Sequence, residues 1–71
     1  MRIETKCIPE VGDLVIGTGF GWQRESSGFV DIIAHVGELK VDYSKSGWDY
    51  VGALTWDERG FWKNSYFQEL P

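Results

Sequence analysis

The chain is short, acidic and rich in aromatic residues. It has 71 residues, of which seven are basic and eleven acidic, for a net charge of -4, and aromatic residues make up 15% of it. The basic residues are scattered, which disfavours non-specific binding to a nucleic-acid backbone, since that binding depends on clustered positive charge. The length predicts one domain over residues 1–71, with a core barrel over about residues 11–70, whose small interior needs large aromatic rings to fill it.

The single cysteine and the first residues exclude other classes of protein. Cys7 cannot form an internal disulfide, and no Cys or His lies near it at the spacing of metal ligands. Residues 1–6 alternate charged and apolar side chains, unlike a signal peptide or a membrane span. The sequence therefore predicts a cytoplasmic protein of the producing or host cell, with no membrane association and no metal ion.

Glycine and apolar residues together predict strands and turns along the whole chain. Nine glycines punctuate it, and no window of a dozen residues keeps apolar side chains at helical spacing. Residues 2–8 form a candidate edge strand that stops at Pro9, and residues 11–17 form a turn followed by a strand. Residues 17–28 are too polar and glycine-rich to pair continuously, so we predict a long loop or a loose hairpin arm there.

Two alternating segments in the middle of the chain predict a hairpin. Residues 38–43 alternate cleanly between apolar and charged side chains, and residues 29–36 place four apolar side chains on one face, which we expect to face the core. Gly37 provides the tight turn between these two strands. Together with the strand at residues 11–17, these faces predict a core of Leu14, Ile16, Val30, Ile32, Val36, Leu39 and Val41.

The last third of the chain predicts further strands. Residues 48–56 form one of them, but apolar residues on both of its faces leave the inward face open. The polar turn at residues 57–60 precedes a short strand at residues 61–63 and a last segment at residues 64–70. Five or so short strands joined by glycine turns, in a chain too short for a sandwich, favour a closed or nearly closed all-β barrel with few free edges.

The same region resembles the second half of a Src-homology-3 domain. In that family, a strand that carries Trp is followed by a turn, then by Gly-aromatic-x-x-x-x-Tyr-aromatic and a short closing strand. The matching residues here are Trp48, Gly60, Phe61, Tyr66, Phe67 and Leu70. Residues 12–15, Gly-Asp-Leu-Val, resemble the start of Tudor, PWWP and other Src-homology-3-like barrels. The resemblance implies a small five-stranded Src-homology-3-like barrel with a short 3-10 turn near the C-terminus.

Several functional signatures are missing from the chain. The Ala-Leu-Tyr-Asp-Tyr signature of the peptide-binding members is missing, and Lys63 stands where they carry a ligand-contacting proline. The glycines at positions 17, 19 and 21 are not followed by a helix that could hold phosphate, and the lone His35 has no Ser, Cys or His partner for catalysis. We therefore predict no cofactor, no enzymatic activity and a surface or rim position for His35.

The aromatic residues leave three interpretations open. Six of them fall between positions 48 and 66, namely Trp48, Tyr50, Trp56, Phe61, Trp62 and Tyr66. They could fill the core and cover the ends of the barrel, or form an exposed patch that binds a protein. They could also form a cage for a methylated lysine or a stacking platform for a base.

We expect a non-enzymatic binding protein that acts by protein–protein interaction, with a larger partner or with copies of itself. Its small size resembles that of the accessory proteins that viruses of bacteria encode to bind host machinery. The alternative is a nucleic-acid-binding or modified-peptide-binding Tudor-like module.

Alternation at the C-terminal strand predicts where the contact surface lies. Phe61 is expected to point inward and Trp62 outward. Trp22 lies in a glycine-rich, polar loop, where a core position is hard to arrange. We therefore predict a patch of Trp22, Trp62 and Arg59, flanked by Glu25 and Glu58 as a charged rim.

Overall fold

The computed structural model describes residues 5–17, 29–45, 47–65 and 67 of the chain. Its strands are β1 (Leu14–Ile16), β2 (Val30–Val36), β3 (Lys40–Tyr43), β4 (Trp48–Tyr50), β5 (Thr55–Asp57) and β6 (Phe61–Lys63). The described residues contain one 3-10 turn, Val51–Ala53, and no α-helix. The all-β class predicted from the sequence is confirmed, with six strands in place of five.

The six strands form one curled sheet, a half-barrel, in the order β4-β3-β2-β1-β6-β5. Neighbouring strands are antiparallel except β1 and β6, which run parallel, with Val15 beside Trp62 and Ile16 beside Lys63. The described strands therefore leave β4 and β5 as two sheet edges, where the sequence predicted a closed or nearly closed barrel.

The segment predicted as one strand over residues 48–56 is divided in two. Between β4 and β5 the chain turns through Val51–Ala53, and the amide of Leu54 donates to the carbonyl of Val51 at 3.1 Å. This 3-10 turn carries the chain from one edge of the sheet to the other. Residues 57–60 form the tight turn of the β5–β6 hairpin, in which Gly60 adopts a φ of 106°.

The core lies on the faces of β1 and β2 opposite to those predicted. The buried apolar residues are Val15, Ile33, Val41, Tyr43, Leu54 and Trp62. Of the predicted core, Val41 is buried and Val36 packs against the cluster, which confirms these two positions. Ile16 is half-buried. For the other four residues the prediction of a core position is wrong, because they are between 44% and 77% exposed: Leu14, Val30, Ile32 and Leu39.

Asp31 and an irregularity in β2 explain the reversed faces. The Asp31 carboxylate is buried and accepts hydrogen bonds from the amide of Lys45, at 3.0 and 3.1 Å, and from that of Ile32 at 2.7 Å. Because a buried carboxylate needs such donors, the inner site suits Asp31, and Ile33 faces inward with it. The pairing with β3 shifts just after Ile33, so that Val36, three residues further on, also faces the core.

Candidate functional site

The ring of Trp62 is buried, so the prediction that it points outward is wrong. Trp62 is 3% exposed, and in β6 it lies between Val15 of β1 and Trp56 of β5. The rings of Trp56 and Trp62 meet edge to face, with centroids 5.1 Å apart. Because apolar side chains surround it on both neighbouring strands, the large indole packs inward. Phe61, predicted to point inward, is the half-buried neighbour on the other face.

Trp62 also connects the N-terminal segment to the sheet through hydrogen bonds at the Asp13 carboxylate. Its Nε1 donates to Oδ2 of Asp13 at 3.0 Å, and the Asp13 carboxylate also accepts from the Glu10 amide at 3.0 Å and from Lys6 Nζ at 2.7 Å. Burial alone would raise the pKa of Asp13, but hydrogen bonds from Lys6 and Trp62 outweigh burial and lower this pKa. Residues 5–8, predicted within an edge strand, form no strand, and Lys6 links them to the sheet instead.

Two further members of the predicted patch lie in the turn between β5 and β6. Arg59 and Glu58 are both exposed there. The Nε and Nη2 atoms of Arg59 donate to the Asp57 carboxylate at 3.1 and 3.0 Å, and the guanidinium lies 4.9 Å from the ring centroid of Phe61. These hydrogen bonds hold the pKa of Asp57 well below its usual range. The side chain of Arg59 therefore contacts Asp57 and Phe61, the residues on either side of its turn.

The remaining two patch residues, Trp22 and Glu25, lie outside the described residues. Of the three described positions, Arg59 and Glu58 lie together in the turn between β5 and β6, and Trp62 lies in the core. A role of these two in partner binding stays a prediction.

The outer face of β1 and β2 carries an aliphatic platform, which we define as Leu14, Ile16, Val30 and Ile32. Leu14 lies directly opposite Ile32, and Ile16 lies opposite Val30. Leu14 is 45% exposed, Ile32 44% and Val30 49%. Side chains opposite each other in an antiparallel pair contact one another, so these four form a continuous apolar surface. Sequence reasoning missed this surface because it assigned the same four residues to the core.

A second exposed surface lies at the β4 end of the sheet, and we call it the aromatic edge: Lys40, Trp48 and Tyr50. Trp48 and Tyr50 are 46% and 60% exposed, and their rings meet edge to face with centroids 5.0 Å apart. The Nζ of Lys40 lies 4.7 Å from the centroid of Trp48, a cation–π contact. The described aromatic residues therefore lie partly in the core, as Trp62 does, and partly on the surface, as Trp48 and Tyr50 do.

Asp49 lies on the opposite face of β4 and belongs to a buried polar cluster. Its Oδ2 accepts hydrogen bonds from the hydroxyl of Tyr43 at 3.0 Å and from Nδ2 of Asn64 at 3.2 Å. Burial raises the pKa of Asp49, and these two hydrogen bonds offset the effect only in part. Burial and the charge of Asp49 also raise the pKa of Tyr43, so its hydroxyl remains a donor. The cluster joins β3 and β4 to the residue that follows β6.

The raised pKa of Asp49 predicts how stability changes with pH. The carboxyl group of Asp49 holds its proton more tightly in the folded chain than in the unfolded chain, where its pKa is near 3.8. The stabilisation is therefore fully present below pH 3.8 and is lost as the pH rises through the folded-state pKa. Since Asp49→Asn has no such proton, the free energy of unfolding of the wild type should fall relative to that of this variant as the pH rises. Urea unfolding at a series of pH values measures the difference.

Glu38→Gln is the control for this pH series, because it removes one exposed carboxylate elsewhere on the hairpin. It measures what the loss of one exposed carboxylate does to the free energy of unfolding at each pH. If the difference in the free energy of unfolding between the wild type and Asp49→Asn stays constant with pH, the raised pKa of Asp49 in the folded chain is contradicted.

No three His, Cys, Asp or Glu side chains among the described residues lie close enough to hold a metal ion. His35 is exposed, as predicted, with Nδ1 3.3 Å from Oδ2 of Asp42. The same residues contain no helix long and apolar enough to cross a membrane.

Comparison of the chain with known protein families, with characterised proteins and with solved structures finds no match. The two exposed surfaces are therefore the basis for a functional inference.

Proposed function

We propose that this chain is a non-enzymatic binding protein whose aliphatic platform forms a protein–protein contact. The observation that carries the proposal is the exposed register pair of Leu14 and Ile32, 45% and 44% exposed, beside the exposed Val30. An antiparallel sheet normally presents polar side chains on its solvated face, whereas a contiguous exposed apolar patch marks an interaction site. The partner is a larger protein or a second copy of the chain.

The distribution of basic residues supports a protein partner over a nucleic acid. The platform itself contains no basic residue. Lys40 lies on β3 and Lys63 on β6, so that β2 and β1 separate them in the sheet. Lys63 is also engaged, with Nζ 3.5 Å from Oδ2 of Asp57. Binding to a phosphate backbone relies on clustered cations, and these lysines do not form such a cluster.

A polar platform tests the proposal. In the double variant Leu14→Thr/Ile32→Thr, threonine keeps the strand propensity but removes the apolar contact, so partner binding should weaken at least roughly tenfold. The thermal midpoint should change little, since neither side chain belongs to the core. The partner is first recovered by affinity capture from lysate, and a binding titration with it then measures the loss of affinity. Sedimentation velocity measures self-association.

Leu39→Thr is the matched control. Leu39 is 77% exposed but lies in the β2–β3 turn, away from the platform. This variant should bind as the wild type does. The proposal is contradicted if Leu39→Thr weakens partner binding as much as the double variant does, or if the double variant binds the partner as tightly as the wild type does. A gel shift at low salt that weakens steeply with added salt would favour a nucleic acid instead.

A further inference from the structure

Among the described strands, the terminal strand β4 pairs with β3 alone, along one of its two edges. The amide of Tyr43 donates to the carbonyl of Gly47 at 2.8 Å, and the amide of Val51 donates to that of Leu39 at 2.9 Å. Between them, Asp49 lies opposite Val41 of β3. The backbone groups of alternate residues point to opposite sides of a strand. Positions 47, 49 and 51 therefore face β3, and positions 48 and 50 face away from it.

The residues that face away are Trp48 and Tyr50, the two rings of the aromatic edge. Their amide N–H groups and the Trp48 carbonyl point to the open side of β4, where no described strand pairs with them. An edge that presents such groups is a template for an added strand. The two exposed rings stand beside this line of donors and acceptors, on the outer face of the sheet.

We propose that the open edge of β4 binds an extended segment of another protein as an added β-strand. Main-chain hydrogen bonds to Trp48 and Tyr50 would hold the segment, and alternate side chains of the segment would pack against the two rings. This inference is independent of the aliphatic platform, because it concerns backbone groups at a different part of the sheet.

Lys40 adds a charge preference to this edge. Its Nζ lies over Trp48 and makes no ion pair with a described residue. An acidic side chain on the outer face of the added strand would complement this ammonium group. The segment that fits is therefore an extended one with apolar residues around an acidic residue.

A second copy of the chain fits the same edge poorly. The register that satisfies both Trp48 and Tyr50 would place Asp49 directly opposite its own copy on the inner face. Asp49 is only 8% exposed, and like charges directly opposite each other in a strand pair are destabilising. Lys40 would likewise gain no acidic partner. The geometry favours a different protein.

Tyr50→Pro tests the role of the edge backbone. Tyr50 has a φ of -73°, within the range that proline adopts, and its amide does not bond to β3. Asp49, the preceding residue, is already in a strand, as the residue before proline should be. Proline should therefore leave the fold intact while it removes a donor and blocks the edge. Tyr50→Ala is the matched control, because it also removes the ring but keeps the N–H group.

The probes are two short capped peptides that alternate valine and threonine around a central residue, glutamate in one and lysine in the other. Titration of the isotope-labelled protein is followed by NMR. The glutamate peptide should shift the amide signals of Trp48 and Tyr50 and slow their exchange with solvent. Tyr50→Pro should bind it at least roughly tenfold more weakly than Tyr50→Ala, the effect of about one lost hydrogen bond.

A second variant tests the charge preference without relying on proline. The wild type should bind the glutamate peptide more tightly than the lysine peptide, and Lys40→Glu should reverse this order. The platform variant Leu14→Thr/Ile32→Thr should bind the peptides as the wild type does, so its result distinguishes the two surfaces. The proposal is overturned if neither peptide affects the amides of Trp48 and Tyr50, if Tyr50→Pro binds as tightly as Tyr50→Ala, or if Lys40→Glu leaves the order unchanged.

Discussion

Replacement of Trp62 by alanine is expected to unfold the domain. The ring is 3% exposed, packs edge to face on Trp56, lies beside Val15 and donates to Asp13. Truncation of a buried Trp to Ala costs about 3–5 kcal/mol, which approaches the whole stability of a small domain. It would also deprive the Asp13 carboxylate of one hydrogen-bond donor. Far-ultraviolet circular dichroism and urea unfolding of the variant measure the outcome.

Trp62→Phe is the matched control for this substitution. Phenylalanine keeps an aromatic ring in the same site but has no N–H for Asp13, so a smaller loss, about 1–3 kcal/mol, is expected. The difference between the two variants separates ring packing from the hydrogen bond. A folded Trp62→Ala variant with the thermal midpoint of the wild type would mean that the ring is not part of the core.

Replacement of Gly17 by alanine is expected to have the second largest effect. Gly17 follows β1 with a φ of 88°, and its amide donates to the carbonyl of Phe29 at 2.6 Å. A Cβ atom at this position would lie 2.6 Å from Cα and 2.8 Å from the amide nitrogen of Phe67. Backbone atoms cannot move aside as a flexible side chain can, so the backbone of Phe67 would have to move away from Gly17.

Gly12 provides a control that isolates the backbone clash. Its φ of 96° is similar, but a Cβ atom there would meet nothing within 4 Å. Gly12→Ala should therefore show only the conformational cost of the positive φ, of order 1–3 kcal/mol, and Gly17→Ala should lose clearly more. Chemical unfolding of the two variants side by side gives the comparison. Equal losses would show that the contact with Phe67 contributes nothing.

Local sequence patterns determined the all-β class of this protein. Residues 38–43 alternate apolar and charged side chains, which is the period of a strand, and β3 forms there. Gly60 follows a run of polar residues and adopts the positive φ that a tight hairpin turn requires. Such features depend on neighbouring residues alone, because they arise from backbone sterics and from side-chain alternation. They could therefore be predicted without knowledge of the rest of the chain.

The choice of buried face on β1 and β2 was decided by tertiary structure. Leu14, Val15 and Ile16 are all apolar, so alternation defines two faces of β1 but not which of them is inward. In β2, the buried face is the one that carries Asp31, because backbone amides, including that of Lys45 fourteen residues later, satisfy its carboxylate. The shift in pairing after Ile33 then breaks the alternation. The aliphatic platform exists because of this choice.

The places of Trp62 and of β4 depended on strand pairing between distant parts of the chain. Trp62 lies inside because β6 runs parallel to β1, next to Val15, and because Asp13 accepts its N–H across 49 positions of sequence. β4 is an edge because the 3-10 turn at Val51–Ala53 carries the chain away to the other side of the sheet. Local propensity and alternation state which residues form a strand. Which strands become neighbours, and hence which rings and backbone groups stay exposed, is decided by the packing of the whole domain.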